Sequence, residues 1–355
     1  MSRFFSEKYR RLVPYTPGEQ PRDRKYVKLN TNESPFPPSP GVAAAVAEEA
    51  DLLELYSDPE CTALRAAMAE AYDVTPLMVV MTNGSDEALN FAFMAFADDR
   101  HPLRFADITY GFYPVFAALN GIPANIVPLS DDFSIVPDDY IGVPDTVVIA
   151  NPNAPTGRLL PLSDIERIVS SDPDRIVIID EAYIDFGGES AVRLTRKYRN
   201  LLVVGTFSKS RSMAGARLGF AIGDPALIAD INTIRYSTNP YNVNRMSAAA
   251  GAAALRDSAY YARNCRTICE NRAWTSGELR KLGFDVLPSS ANFVFARTDA
   301  IGGGELYGAL KERGVLVRHF DSERISDYCR ITIGSREQME TLIRCIGEII
   351  GGICK

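Results

Sequence analysis

Ser208 and Lys209 directly follow a strongly apolar run, Leu201-Leu202-Val203-Val204, and Arg217 comes eight residues beyond the lysine. A run of that kind reads as a buried strand. Ligand crevices of α/β sheets form at the carboxyl ends of their strands, so an amine placed there is positioned for chemistry. It can attack a carbonyl and form a Schiff base. Ser208 and Arg217 would then supply hydrogen bonds and charge for an anion such as a phosphate. A second apolar run, Ile176-Val177-Ile178-Ile179, ends in Asp180. A carboxylate at the mouth of a buried strand needs a partner, because an unpaired buried charge is costly. A protonated ring nitrogen would satisfy it, and so would an arginine or the first turn of the next helix.

Weaker signals cluster at other strand ends. Asn83-Gly84-Ser85-Asp86-Glu87 opens a helix, where free N–H groups make an anion site, although Ser and Asp are also ordinary caps. Tyr110 stands where a flat ring could stack on a planar ligand, or serve the core. Asn151-Pro152-Asn153-Ala154-Pro155-Thr156-Gly157 is a proline-fixed turn that aims its polar side chains. Arg330 interrupts an apolar strand-like stretch and Arg318 ends another; a permanently charged, planar fork suits carboxylate or phosphate.

These residues need elements to hold them. Prolines at 14, 17, 21, 35, 37, 38 and 40 predict an extended arm over 1–40, with Lys28-Leu29-Asn30-Thr31-Asn32-Glu33 as a polar segment able to lie across a site. Strands are expected at 79–82, 103–105, 126–129, 146–150, 176–179, 201–206 and 218–222, and helices at 41–55, 62–72, 85–97, 113–119 and 162–171. This alternation predicts an α/β fold, a mainly parallel seven-stranded sheet covered by helices on both faces. Beyond 240 the texture changes to helices at 244–255 and 259–282, short strands at 292–297, 315–317 and 329–333, and helices at 305–313 and from Arg336. The expected organisation is an arm (1–40) joining the small domain, a large domain (41–240) and a smaller α+β domain (241–355).

Bulk properties exclude several classes. The 355 residues carry a net charge of −7, with 46% hydrophobic and 23% charged residues, which gives no bulk attraction to nucleic acid or an acidic membrane. No apolar run reaches the roughly 18 residues of a membrane span, and the first 20 residues are too polar for a signal peptide, so a cytoplasmic protein is expected. Cys61, Cys265, Cys269, Cys329, Cys345 and Cys354 form no Cys-x-x-Cys pair and are read as reduced thiols. With only His101 and His319, neither a histidine-rich metal site nor a Ser-His-Asp hydrolase is expected. No dinucleotide fingerprint or P-loop occurs.

Taken in order, from Leu29-Asn30-Thr31-Asn32-Glu33 through Asp180-Glu181-Ala182-Tyr183 and Ser208-Lys209 to Arg330-Ile331-Thr332-Ile333-Gly334, the motifs resemble the fold-type I pyridoxal-phosphate enzymes, within them the histidinol-phosphate aminotransferase family. The resemblance implies that Lys209 carries the cofactor covalently and then moves the substrate proton. By the same resemblance Asp180 keeps the pyridine nitrogen protonated, Tyr183 bonds the ring hydroxyl and Tyr110 stacks on the ring. Gly84, Ser85, Asp86, Thr206, Ser208 and Arg217 would hold the phosphate, helped by Tyr56 of the partner subunit in a homodimer. Arg330 resembles the arginine that takes a donor's α-carboxylate; Arg318, Tyr15, Asn32 and Tyr241 complete the substrate-binding set. Two positions depart from the family. Ala154 stands where an asparagine usually bonds the ring hydroxyl, so Asn153, or in second place Asn151, is expected to substitute, or Tyr183 to act alone. Ser210 and Arg211 replace an apolar pair and are expected to make that side of the site more polar. The implied activity is amino transfer between L-histidinol phosphate and 2-oxoglutarate. Phosphothreonine decarboxylation, and aromatic or broad-specificity amino transfer, are the alternatives on the same fold.

Overall fold

The computed structural model describes residues 2–353, so Cys354 lies outside the described residues. The arm runs without helix apart from a short turn at Glu7–Tyr9, and contributes β1 (Val27–Lys28). Then come α1 (Pro40–Ala50), α2 (Thr62–Tyr72), β2 (Val79–Thr82), α3 (Ser85–Phe96), β3 (Leu103–Ala106), α4 (Phe112–Asn120) and β4 (Ala124–Val127). The middle of the chain forms β5 (Thr146–Ala150), α5 (Leu162–Ser170), β6 (Val177–Asp180), β7 (Leu201–Thr206), β8 (Gly219–Gly223) and α6 (Pro225–Thr238). It continues through α7 (Arg245–Arg256), α8 (Ser258–Lys281), β9 (Asp285–Val286), β10 (Phe293–Arg297) and α9 (Gly303–Glu312). The last elements are β11 (Val315–Leu316), β12 (Arg318–His319), β13 (Cys329–Thr332) and α10 (Arg336–Ile353).

Seven strands form one sheet in the order β2-β8-β7-β6-β5-β3-β4. β8 runs antiparallel to both neighbours and the other pairings are parallel. Every residue of β5, β6 and β8 is buried, as strands covered on both faces require. One face packs against α3, α4 and α6, the other against α1, α2, α5 and α7. Parallel pairing brings the carboxyl ends of β5, β6 and β7 to one edge, with Asp180 in register with Ala150 on one side and Val204 on the other. A four-stranded antiparallel sheet, β12-β13-β10-β9, packs with α8, α9 and α10 around a second core. The arm joins this smaller unit through β1, which pairs with β11.

Three expectations need correction. α6 was not anticipated; it begins at Pro225, with Asp224 accepting a hydrogen bond from Ala226 N, the usual use of proline in a first turn. α7, placed by sequence in the smaller domain, packs its alanines against the large core beside α1 and α2. In addition α1 ends at Ala50, not near 55, leaving Leu52, Leu53, Leu55 and Tyr56 on the surface.

Candidate active site

The carboxyl edge of the large sheet, the arm and the smaller sheet enclose a cavity of about 550 Å³. Its walls include Ser85, Asp86, Tyr110, Asp180, Tyr183, Thr206, Ser208, Lys209 and Arg217, together with Tyr15, Asn32, Arg318 and Arg330. Residues separated by some 300 positions in sequence thus meet in one place.

Lys209 lies three residues past the end of β7, and its Nζ donates to the backbone carbonyl of Thr31 at 3.2 Å. The same nitrogen sits 5.7 Å from the centroid of the Tyr183 ring. Asp180, the last residue of β6, is buried and accepts from the Tyr113 hydroxyl at 2.9 Å and from Ala182 N at 3.2 Å. Among the described residues no cation pairs with it, and burial pushes its carboxyl up to about 6. Burial and the facing Asp180 hold the Tyr113 phenol well above its ordinary range, so it remains a donor. Tyr113 was read only as a helix residue; its partnership with Asp180 crosses 67 positions and left no local trace.

At the amino end of α3, Gly84 is the cap residue with φ +83°, and Asn83 N donates to Glu87 at 2.7 Å. The positive φ at Gly84 is one that glycine adopts without strain, and its Cα faces the Arg217 guanidinium, whose Nη2 would lie 2.6 Å from an added Cβ. Asp86 draws the cup together: it accepts from the Tyr110 hydroxyl at 2.7 Å and pairs with Arg217 at 3.0 Å. Thr206 and Ser208 close its other side, hydroxyl to hydroxyl at 2.9 Å. The first-turn N–H groups and Arg217 together form a concave, donor-rich surface suited to a phosphate.

On the opposite wall, Arg318 and Arg330 are register partners on antiparallel strands. Two like charges directly opposite one another are unfavourable unless an anion lies between or beside them. Arg318 donates to the carbonyls of Thr16 and Pro17, pinning the arm, while Tyr15 stacks on Phe112 at 4.2 Å. Arg330 donates one hydrogen bond to Asn30 O at 3.0 Å and is flanked by the Phe293 and Phe320 rings at 5.4 and 5.7 Å. Its Nε is buried without a partner, and burial pulls the guanidinium below its ordinary value. Phe293 and Phe320 were not singled out from sequence.

Asn153, Ser210, Arg211, Tyr241, and Tyr56, which was expected to serve a partner subunit's site, lie off this cavity. Asn153 does not line the cavity: its amide donates to Ile108 O and Thr156 Oγ1 and accepts from Thr109 Oγ1, so it is spent on the turn and cannot take the role expected of it. Tyr56, 82% exposed, stacks on Tyr241 at 4.6 Å outside the cavity of its own chain. Ser210 bonds Asp185 and Arg211 lies 5.5 Å over the Tyr261 ring, so this pair turns away from the site and does not make it more polar. Ala154, by contrast, does line the cavity and contributes only a methyl group.

Comparison with known proteins is consistent with this geometry. The family model described as aminotransferase class I and II matches residues 24–346. A histidinol-phosphate aminotransferase of Aromatoleum aromaticum is 49% identical, covering 99% of this chain and 100% of the relative. One from Clostridium acetobutylicum is 46% identical over 99% of this chain and 100% of its own length. The fold is that of a Sinorhizobium meliloti histidinol-phosphate aminotransferase solved in complex with pyridoxal-5'-phosphate, with a TM-score of 0.90, 23% identity and 99% of each chain covered. With its catalytic-type amine, buried acid and two arginines on that scaffold, the chain belongs to the class I and II aminotransferases, in the histidinol-phosphate aminotransferase family.

Proposed function

We propose that the protein transfers the amino group between L-histidinol phosphate and 2-oxoglutarate, with pyridoxal 5'-phosphate as cofactor, in a ping-pong cycle of histidine biosynthesis. The observation that carries this reading is that Lys209 and the buried Asp180 both line one cavity that also holds two opposed arginines. The chain's own features fit the cofactor. Asp180 is a buried carboxylate with no cationic partner among the described residues, and a protonated ring nitrogen supplies one. The cup at Gly84 and Arg217 has the shape and charge for a phosphate. When bound, pyridoxal phosphate provides an electron sink for the pair released at the substrate's Cα and carries the amino group from donor to acceptor.

The residues divide the work. Lys209 takes the proton from the substrate's Cα and returns it at the next position, because its amine stands within the cavity on a flexible stem. Asp180 holds a proton on the ring nitrogen by charge, itself oriented by Tyr113 and Ala182 N. Tyr110, fixed by Asp86, covers one ring face. Arg217, Ser208 and the first turn of α3 retain the phosphate. Arg330 grips a carboxylate of the oxo acid, and Arg318 beside it extends the same anion site to the donor's phosphate. Both anions present oxygens to a fork of donors, so one pair of arginines serves both halves of the cycle.

Arg330→Lys should lower kcat/KM for 2-oxoglutarate by about 10²-fold, mostly through KM, because an ammonium cannot make the bidentate contact. Steady-state kinetics with the acceptor varied checks this; an unchanged KM would remove Arg330 from the site. Assembly as a cytoplasmic homodimer is part of the proposal, supported by the exposed Leu53, Leu55 and stacked Tyr56–Tyr241 surface, which would place Tyr56 of the partner subunit at the phosphate. Sedimentation should therefore give twice the chain mass of 39.0 kDa, and a monomer at working concentration would contradict it.

The substrate assignment is tested by mixing the yellow holoenzyme with a panel of amino donors and following loss of its absorbance. Histidinol phosphate should react fastest. Faster reaction of phenylalanine, or release of carbon dioxide from phosphothreonine without any oxo acid, would overturn the assignment.

A further inference from the structure

Tyr183 lines the cavity, its ring edge-on to Phe293 at 5.1 Å. Its hydroxyl accepts a hydrogen bond from Asn32 Nδ2 at 2.9 Å. The orientation of that amide follows from its other contacts. Asn32 N donates to Thr332 Oγ1 at 3.0 Å, so the Thr332 hydroxyl proton is free to go to Asn32 Oδ1, also at 3.0 Å. The oxygen of the amide is thereby assigned to Thr332 and its nitrogen to Tyr183. Asn292 Nδ2 donates to the Asn32 carbonyl at 3.0 Å, and Asn32 takes φ +56°, a left-handed conformation that asparagine tolerates better than most residues. Asn32 is buried, 1% exposed, and therefore held on three sides.

A phenol has one proton and two acceptor positions. With Asn32 donating to it, the Tyr183 hydroxyl has its own proton left to give in another direction, into the cavity that Lys209 shares. The turn at 151–157 does not supply the donor: Ala154 presents a methyl, and the Asn153 amide is committed to Ile108 and Thr156. We infer that Asn32 is a positioning residue that fixes the Tyr183 hydroxyl as a donor toward the ring hydroxyl of the cofactor, the task that a side chain at 154 cannot perform in this chain. This inference rests on the proposed function for the identity of the cofactor, but not on the identity of the amino donor.

A donor at the cofactor's ring oxygen withdraws negative charge from beside the Lys209–cofactor link, and so loosens the proton held there. Losing the donor should tighten it. Asn32→Asp is close in shape, suits the left-handed turn and keeps an acceptor for Thr332, but its second oxygen draws the Tyr183 proton away from the cavity. The experiment is a pH titration of the holoenzyme's absorbance without substrate, so it reads neither turnover nor donor choice. Asn32→Asp should raise the midpoint by roughly one pH unit, a tenfold change in proton affinity, and the rise should disappear when Tyr183 is replaced by Phe. A midpoint equal to wild type overturns the inference. So does an equal rise in the Tyr183→Phe background, which would mark a plain charge effect of the new carboxylate. Should Asn32→Asp not fold or load cofactor, Asn32→Gly, which keeps the turn and removes the amide, carries the same test with a smaller upward shift expected; no shift there overturns it. Failure of the proposed function would look different, as a protein that takes up no cofactor or reacts with another donor at a normal wild-type midpoint.

Discussion

Replacing Lys209 by alanine is expected to lower kcat by about 10⁴-fold or more while leaving cofactor binding partly intact. The size of the effect follows from two losses at once, the covalent anchor and the group that moves the Cα proton, and positioned proton transfer alone is worth up to about 10⁴. The residual binding follows from the rest of the cavity. Arg217, Ser208 and the amino end of α3 hold the phosphate independently of the lysine, and Asp180 still faces the ring nitrogen. The substitution leaves little structural debris, since the only hydrogen bond recorded for Lys209 Nζ among the described residues is to Thr31 O. Single-turnover kinetics with histidinol phosphate, beside equilibrium dialysis of the cofactor, checks both halves. Turnover near the wild-type rate would refute the assigned role.

Asp180→Asn is expected to cost about 10³ in kcat, because a neutral amide cannot hold a proton on the ring nitrogen by charge. It should have the opposite effect on the cofactor-free protein. Burial raises the Asp180 carboxyl from an ordinary 3.8 to about 6, so the folded state holds this proton more tightly than the unfolded chain does. At pH below 3.8 both states are protonated and the residue costs nothing. As pH rises from 3.8 to about 6, the unfolded chain ionises first and stability falls. Above about 6 the loss is complete and amounts to roughly 3 kcal/mol. Cofactor-free Asp180→Asn should therefore be more stable than wild type at neutral pH, with the difference closing toward pH 4. Loading the cofactor should reverse the order, since its cation meets the carboxylate. Urea denaturation with and without cofactor reads all three signs. A wild type that is the more stable of the two without cofactor at neutral pH would contradict this account of Asp180.

The positions of Asp180 and Lys209 were legible because strands buried on both faces read as continuous apolar runs, and a charge that ends such a run stands out. Gly84 was legible for a similar local reason, as glycine before Ser-Asp-Glu at a helix start. What stayed hidden depends on long-range geometry. Nothing near Tyr113 announces that its hydroxyl meets Asp180, and nothing in 318–330 announces that two arginines will be register partners across a loop. Asn153 was misjudged because a proline-fixed turn constrains the backbone without revealing which way the amide faces; it faces Thr109 and Ile108. Arg211 was misjudged in the same way, its neighbour Lys209 pointing in while it lies against Tyr261. α6 was missed because Pro225 reads as a breaker until Asp224 is seen capping the first turn. α7 was assigned to the wrong core because a stripe of alanines packs closely on any similar stripe and does not name its partner.

The whole reading depends on one amine carrying the cofactor. Reducing the holoenzyme with borohydride and mapping its peptides by mass tests this most directly. The account predicts that the cofactor's mass is found on the peptide containing Lys209, and that the Lys209→Ala protein retains none. Label on a different lysine, or a reduced wild type that carries no label at all, would contradict it.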